Sequence, residues 1–449
     1  MLGVIYYQRG NHPAAVRQID RSLKVDSKNA NALYNRGLAL QGLKRLDEAL
    51  ASYDKALALK PDNADALNNR GNALKDLKRF EEALASHDKA VALKPDYAEV
   101  FNNRGLALQE LKRFDEALLS FERALTLQPD YADAHWNEAL LRLVRGDFSR
   151  GWAKYQWCWK SESLGVSKRN FLQPLWLGAE AIDGTTILLH SEQGFGDTIQ
   201  FCRYVPLVAA RGARVILEVE SPLHEIMTNL AGATQVISRG DALPDFDFQC
   251  PLPSLPLAFG TRLETIPAAT AYLRAPDQTL KNWQARLGPK ARPRIGLVWS
   301  GRPAHKNDQN RSISLRSLLP LLDIEATFVS LQKDVRSDDA AVLKERNDVL
   351  NFGDELKDFS NTAALILQLD LVISVDTSVA HLAGALGAPV WILLPYSPDW
   401  RWLLDRDDSP WYPSVRLFRQ QQIGNWAGVI DQVKNELRSV RSFNVTSAI

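Results

Sequence analysis

The sequence predicts an all-helical solenoid followed by an α/β unit of two Rossmann-like lobes. Three observations carry this. The first third repeats itself every 34 residues, with Gly37, Gly71 and Gly105 at that interval and Pro61, Pro95 and Pro129 likewise. From residue 185 onward short apolar runs of strand length alternate with helical patterns, in two successive sets. Within the second set, Gln368 to Pro395 reads as a strand, a capped helix and a second strand, one βαβ unit of a parallel sheet.

The repeating segment is a helix-turn-helix, and its 34-residue period is that of the tetratricopeptide repeat, in which a helix pair buries its apolar face only by stacking on neighbours. The repeat glycines let the two helices approach closely, and the prolines end the second helix. The array is expected to span 1–160. Subtracting 34 from Gly37 gives Gly3, so the first repeat begins inside its first helix and is truncated. Adding 34 to Gly105 gives Ala139, and the helix pair around it is a fifth, divergent repeat whose Trp152, Trp157 and Trp159 are expected to form an apolar seal against the next domain.

Asn35, Asn69, Asn103 and Asn137 also recur every 34 residues, two positions before the repeat glycine, and therefore stack as a ladder on successive first helices. An amide both donates and accepts, as an extended peptide backbone does, so the ladder reads as an acceptor-peptide groove. The alternative is that these amides bond locally to the neighbouring helix. The ladder resembles the one in the tetratricopeptide half of the eukaryotic O-GlcNAc transferases, and that resemblance implies acceptor-protein binding.

A connector at 161–184 leads to a first lobe at 185–275, a Pro- and Arg-containing linker at 276–293 and a second lobe at 294–449. In the first lobe, TTILLH is a strand, Gly194 and Gly196 allow a tight turn, and Asp197 opens a helix at the strand's carboxyl end. In the second, the loop after RIGLVW supplies Ser300, Gly301, Lys306 and Arg311, and Gln332 and Lys333 follow the next strand. Asp376, Thr377 and Ser378 provide side-chain oxygens at the N-cap of the βαβ helix, with His381 one turn in. Helix N-termini at strand carboxyl ends suit a phosphate or diphosphate. The aromatics of YSPDWRW, with Trp411 and Tyr412, either stack on a base or sugar or pack against a helix.

The run VDTSVAHLAGALGAPVWILLP resembles the nucleotide-sugar signature of heptosyltransferase-type glycosyltransferases, and the Gly196-Asp197 pair resembles the one that opens those enzymes. The resemblance implies a GT-B architecture that works without a metal, with Asp197 as catalytic base and Gly194, Gly196, Ser300, Lys306, Arg311, Gln332, Lys333, Asp376, Thr377, Ser378 and His381 at the donor. With the repeat array, the whole chain resembles bacterial proteins that glycosylate flagellin. The expected activity is transfer of a sugar from a nucleotide-activated donor to Ser or Thr hydroxyls of a protein. The alternatives are a glycan or lipopolysaccharide acceptor, and a non-catalytic protein-binding scaffold. The nucleotide sugar is a substrate, and no cofactor is expected.

Composition agrees with a globular chain of several domains. The 449 residues hold 54 Lys and Arg against 53 Asp and Glu, a net charge of +1, which gives no reason to propose nucleic acid or an anionic membrane as partner. Cys158, Cys202 and Cys250 lack metal-ligand spacing and are odd in number, so buried free thiols in a reducing compartment are expected. No signal peptide or membrane-length apolar run is visible, and the expected location is the cytoplasm. Asp245 and Asp247 have DxD spacing, but in the lobe where the other motifs argue against a metal.

Overall fold

The computed structural model describes residues 2–165 and 169–439. Met1, residues 166–168 of the connector and residues 440–449 of the second lobe's range lie outside the described residues. Contacts divide the chain into two compact units, one holding Met1–Arg142 and Lys154–Gly165, the other Leu143–Ala153 and Val166–Ile449.

The first unit is a tetratricopeptide solenoid. Its helices pair as α1 (Leu2–Gln8) with α2 (His12–Val25), α3 (Ala30–Gly42) with α4 (Leu46–Leu59), α5 (Ala64–Asp76) with α6 (Phe80–Leu93) and α7 (Ala98–Glu110) with α8 (Phe114–Leu127). Then comes α9 (Ala132–Val144), all but the last two residues of which belong to this unit, whereas α10 (Phe148–Tyr155) belongs mostly to the second. The repeat glycines act as the sequence implies. A Cβ at Gly37 would lie 2.4 Å from the Tyr53 ring, at Gly71 2.5 Å from the His87 ring and at Gly105 2.5 Å from the Phe121 ring, so each absent side chain makes room for an aromatic of the paired helix. Asn29 and Asn63 cap α3 and α5 through their side chains, and Tyr97 stands at the equivalent place without such a bond.

A second ladder went unread in the sequence. Arg36, Arg70 and Arg104 each donate from Nε to an aspartate of the preceding repeat (Asp20, Asp54, Asp88; 2.6 to 2.7 Å). From Nη1 each donates to a serine of its own repeat (Ser52, Ser86, Ser120; 2.6 to 2.8 Å). Each guanidinium thereby ties three helices together.

The second unit contains two parallel sheets. The first joins β1 (Thr186–His190), β2 (Arg214–Val219), β3 (Ala233–Ser238) and β4 (Phe248–Pro251) in the order 3-2-1-4. The second joins β5 (Arg294–Val298), β6 (Thr327–Ser330), β7 (Leu350–Asn351), β8 (Leu371–Val375), β9 (Val390–Leu394) and β10 (Val415–Arg419). Its order, β10-β9-β8-β5-β6-β7, is 3-2-1-4-5-6 when counted within the lobe and read from its far edge. In both sheets the strand order reverses beside the lobe's first strand, and ligands bind such sheets outside the carboxyl ends at that reversal. Strands β5, β8 and β9 are buried along their whole length, which is why they read as near-continuous apolar runs, interrupted only by Arg294 in β5 and Ser374 in β8.

Three expectations need correction. Strand β10 was not anticipated. The linker is largely a helix, Asp277–Leu287, whose Trp283 is buried. Trp152 belongs to the second unit's own core: its indole donates to the Thr261 carbonyl (3.2 Å) and it packs edge-on against Trp400 and Trp411. Trp157 stacks instead on His135 within the solenoid, at 3.8 Å between centroids. The three cysteines are buried, and burial pushes the Cys202 thiol up to about 12.

Candidate functional site

Four loops, each at the carboxyl end of a strand, converge between the two lobes. The first follows β1 and leads into the helix Phe195–Phe201, the second follows β5, the third follows β8 into the helix Ser378–Ala385, and the fourth follows β9. The lobes meet closely here because Gly196 has no side chain; a Cβ there would lie 2.9 Å from Cδ2 of His381. Arg203, 4% exposed, bonds the lobes together by donating to the Trp411 carbonyl (2.6 Å) while also reaching the Tyr272 hydroxyl (2.9 Å).

Asp197 is the third residue of its helix, and both carboxylate oxygens are engaged. Oδ2 accepts from the Gly194 N–H at 2.9 Å, and Oδ1 is ion-paired with Nη2 of Arg401. Arg401 comes from the loop after β9, is 8% exposed, and lies over the Trp400 ring at 4.5 Å. It also donates from Nη1 to Asp399 (2.9 Å) and from Nε to Gln200. Sequence reasoning left the DWRW segment undecided. The strand-end rule that selected the other loops selects Arg401 too, whereas Arg203, inside a helix of the first lobe, carried no signal.

On the loop after β5, Gly301 leaves space for Arg311, whose Nη2 would stand 2.7 Å from a Cβ there. Arg311 donates to the Asp376 carbonyl at 2.9 Å, linking this loop to the one after β8. The loop is braced from below by Arg336, which pairs with Asp308, itself bonded to Ser312 (2.6 Å). Burial, with Arg311 adding to it, holds the His305 imidazole below its usual range, and the Asp399 and Asp197 carboxylates act on it in the opposite sense. Lys306 is exposed on the same loop. Ser300 is 3% exposed and its hydroxyl lacks a protein partner.

Gln332 plays a different part from the one expected. Its amide accepts from the Ser300 N–H (3.1 Å) and donates to the Ser300 carbonyl (3.0 Å), so it fixes the loop backbone. Lys333 is exposed and donates to the Lys357 carbonyl at 3.3 Å.

After β8, Thr377 is the N-cap residue with extended backbone, yet its side chain makes no capping bond; the hydroxyl lies 3.1 Å from that of Ser374. Ser378 follows, half-buried, as the first helical residue. Burial raises the Asp376 carboxyl to about 6, reinforced by the Asp399 carboxylate and opposed by Arg311 and Arg401. His381 is 5% exposed, bonded through Nδ1 to the Tyr412 hydroxyl (2.8 Å) and stacked on Trp402. Burial, then the guanidinium groups of Arg401, Arg203 and Arg311, hold it well below the usual histidine range, so it is neutral at physiological pH. Trp400, Trp402, Trp411 and Tyr412 are all buried, which resolves their alternatives in favour of packing.

In the solenoid, the asparagine ladder bonds between repeats. Asn103 donates to Asn68 (3.0 Å), Asn137 to Asn102 (2.9 Å) and Asn69 to the Tyr34 hydroxyl (3.0 Å), always to the residue 35 positions earlier. The local bond weighed against the peptide groove is therefore present at three of the four positions. Asp247 of the DxD pair accepts from the Thr186 N–H at 2.8 Å and anchors the start of β1.

The family models that match fall on the solenoid. Family models described as Tetratricopeptide repeat match residues 1–64, 52–85 and 98–131, and one described as TPR repeat matches 71–112. The repeat region is thus a tetratricopeptide array, an architecture that serves as a protein-binding scaffold. The chain is 26% identical over 326 residues to Protein FlbA of Caulobacter vibrioides, a match covering 67% of this chain and 54% of that protein. It therefore spans about half the length of this curated relative. Among solved structures, PilF of Pseudomonas aeruginosa is similar at 29% identity and TM-score 0.34, covering 37% of this chain and 75% of that one. MamA of Desulfovibrio magneticus is similar at 23% identity and TM-score 0.32, covering 36% and 91%. No helix among the described residues is long and apolar enough to cross a membrane.

Proposed function

We propose that the α/β unit is a metal-independent GT-B glycosyltransferase that moves a sugar from a nucleotide-activated donor to Ser or Thr hydroxyls of a protein captured by the repeat array. The observation that carries this reading is the convergence of Asp197, Arg311, Asp376 and Arg401 from four strand ends, the first three of them at strands beside the reversal of sheet order. Sugar transfer needs both kinds of group. A carboxylate takes the proton from the acceptor hydroxyl, whose oxygen bonds to the anomeric carbon. The carbon–oxygen bond to the diphosphate breaks, and its electron pair leaves on the nucleoside diphosphate. Asp197 is the base in this reading. Arg311, Arg401, the exposed Lys306 and the N-terminus of the helix Ser378–Ala385 carry the positive charge that the leaving group requires. Flagellin is the acceptor that the sequence resemblance favours.

The test is calorimetric titration of the full chain with UDP, GDP, CDP and ADP, beside an Arg311→Gln variant. Binding of one nucleotide, weakened in the variant, supports the reading. Absence of binding by all four would favour a scaffold without a donor site.

A further inference from the structure

We infer that Arg401 exchanges partners during the reaction, holding Asp197 while the site is empty and the donor's diphosphate once it is loaded, so that the base is released only when a donor is present. The inference rests on the donor-site reading above and adds to it a residue and an order of events.

The geometry that points to it is the state of Asp197. A base needs an oxygen free to take a proton, and here one oxygen accepts from the Gly194 N–H while the other is held by Arg401. The Gly194 bond is local to the turn. The Arg401 contact joins the two lobes. The guanidinium's stacking on Trp400 and its bonds to Asp399 and Gln200 fix the plane of the group without using the Nη2 edge that meets Asp197. A guanidinium presents the same fork of N–H donors to a carboxylate and to a phosphate, so a diphosphate competes for the edge that Asp197 occupies.

Charge counting gives the reason for the exchange. Asp197, Asp376 and Asp399 stand against Arg311, Arg401 and Lys306, with His381 neutral, so the side-chain charges of the empty cluster balance and do not by themselves attract an anion. The Asp399 carboxylate and both arginines act on the Asp376 carboxyl, so these groups share one field. Arg311 meets only a backbone carbonyl, that of Asp376, whereas Arg401 is held by the Asp197 and Asp399 carboxylates, so a diphosphate that takes the Nη2 edge of Arg401 displaces Asp197. Asp197, contributed by the opposite lobe, is the one whose displacement has a use, because it frees a carboxylate oxygen to take the acceptor's proton.

The experiment is a double-mutant cycle on nucleoside diphosphate binding in the full chain, with Asp197→Asn, Arg401→Gln and the pair, titrated calorimetrically with UDP, GDP, CDP and ADP and with inorganic pyrophosphate. Asp197→Asn should tighten binding by about tenfold, because it replaces a charge-assisted competitor by a neutral one, and Arg401→Gln should weaken it by about tenfold or more. In the Arg401→Gln background the gain from Asp197→Asn should shrink below about twofold. Where Arg401→Gln does not fold, Arg401→Lys, which keeps the charge and loses the fork, is measured in its place with the same expectation. Unchanged or weaker binding by Asp197→Asn overturns the exchange. So does a gain that persists in full without Arg401, which is what plain removal of a nearby negative charge would produce. No binding by any of the proteins overturns the donor-site reading itself, and the exchange with it.

Discussion

His87 occupies the place over Gly71 that Tyr53 and Phe121 occupy over the neighbouring repeat glycines. It is fully buried and neither ring nitrogen has a hydrogen-bond partner. Burial, with Lys75 and Arg104 adding to it, pushes its pKa down to about 3. Two consequences follow for His87→Phe. At pH 7 the variant removes a buried N–H and a buried acceptor that are unsatisfied, which should stabilise the array by about 2 kcal/mol. Phe121 shows that the ring fits this position. Below pH 6.5 a second effect enters. The imidazole takes up a proton in the unfolded chain but not in the folded one, so wild-type stability is complete above the unfolded pKa and declines as pH falls from 6.5 towards 3. At pH 5 the loss from this one group is about 2 kcal/mol, from about 1.5 pH units at 1.36 kcal/mol each. The variant's advantage should therefore grow from about 2 to about 4 kcal/mol between pH 7 and pH 5. Urea unfolding of both full-length proteins, followed by far-ultraviolet circular dichroism at the two pH values, measures the difference. An advantage that stays constant from pH 7 to pH 5 refutes the argument, since every other titrating group is common to both proteins.

Asp197→Asn should abolish sugar transfer to a protein acceptor while the folded structure and nucleotide binding persist; turnover at the wild-type rate would remove Asp197 as the base. Gly196→Ala pushes a methyl group to within 2.9 Å of His381 across the lobe contact, and should lower thermal stability by about 1 to 3 kcal/mol; an unchanged melting temperature counts against that close approach. Asn103→Ala removes the inter-repeat bond to buried Asn68 and should destabilise the array by about 1 to 2 kcal/mol, whereas a ladder reserved for peptide would lose capture without losing stability. The three thiols should react with a thiol reagent such as DTNB only after unfolding, and rapid native-state labelling would contradict their burial.

Much of the fold was legible because it is written in period and polarity. The 34-residue repeat locates the solenoid helix pairs, and the buried strands β5, β8 and β9 show themselves as near-continuous apolar runs. Strand β10 escaped because VRLFR carries two arginines, one of which, Arg419, turns back to donate to the carbonyls of Trp402 and Leu403. The linker helix escaped because prolines and arginines around it resemble a loop. At the site, the strand-end rule found Asp197, Arg311 and the Asp376 to His381 segment, and the structure brings all three together. It could not separate groups that face the site from groups that hold its frame. Gln332 reads identically in either role until its two backbone bonds to Ser300 are seen.

The sequence by itself determined the architecture, the repeat register and the loops that gather at the strand ends, because these depend on local periodicity and on the polarity of parallel strands. Only the tertiary structure decided who partners whom. That Asp197 meets Arg401, 204 residues later, that His381 is neutral, and that the asparagine ladder bonds between repeats all depend on distances between segments far apart in the chain. Such pairings leave no trace in spacing, since a carboxylate in a loop has the same sequence signature whether it faces water, a substrate or a guanidinium.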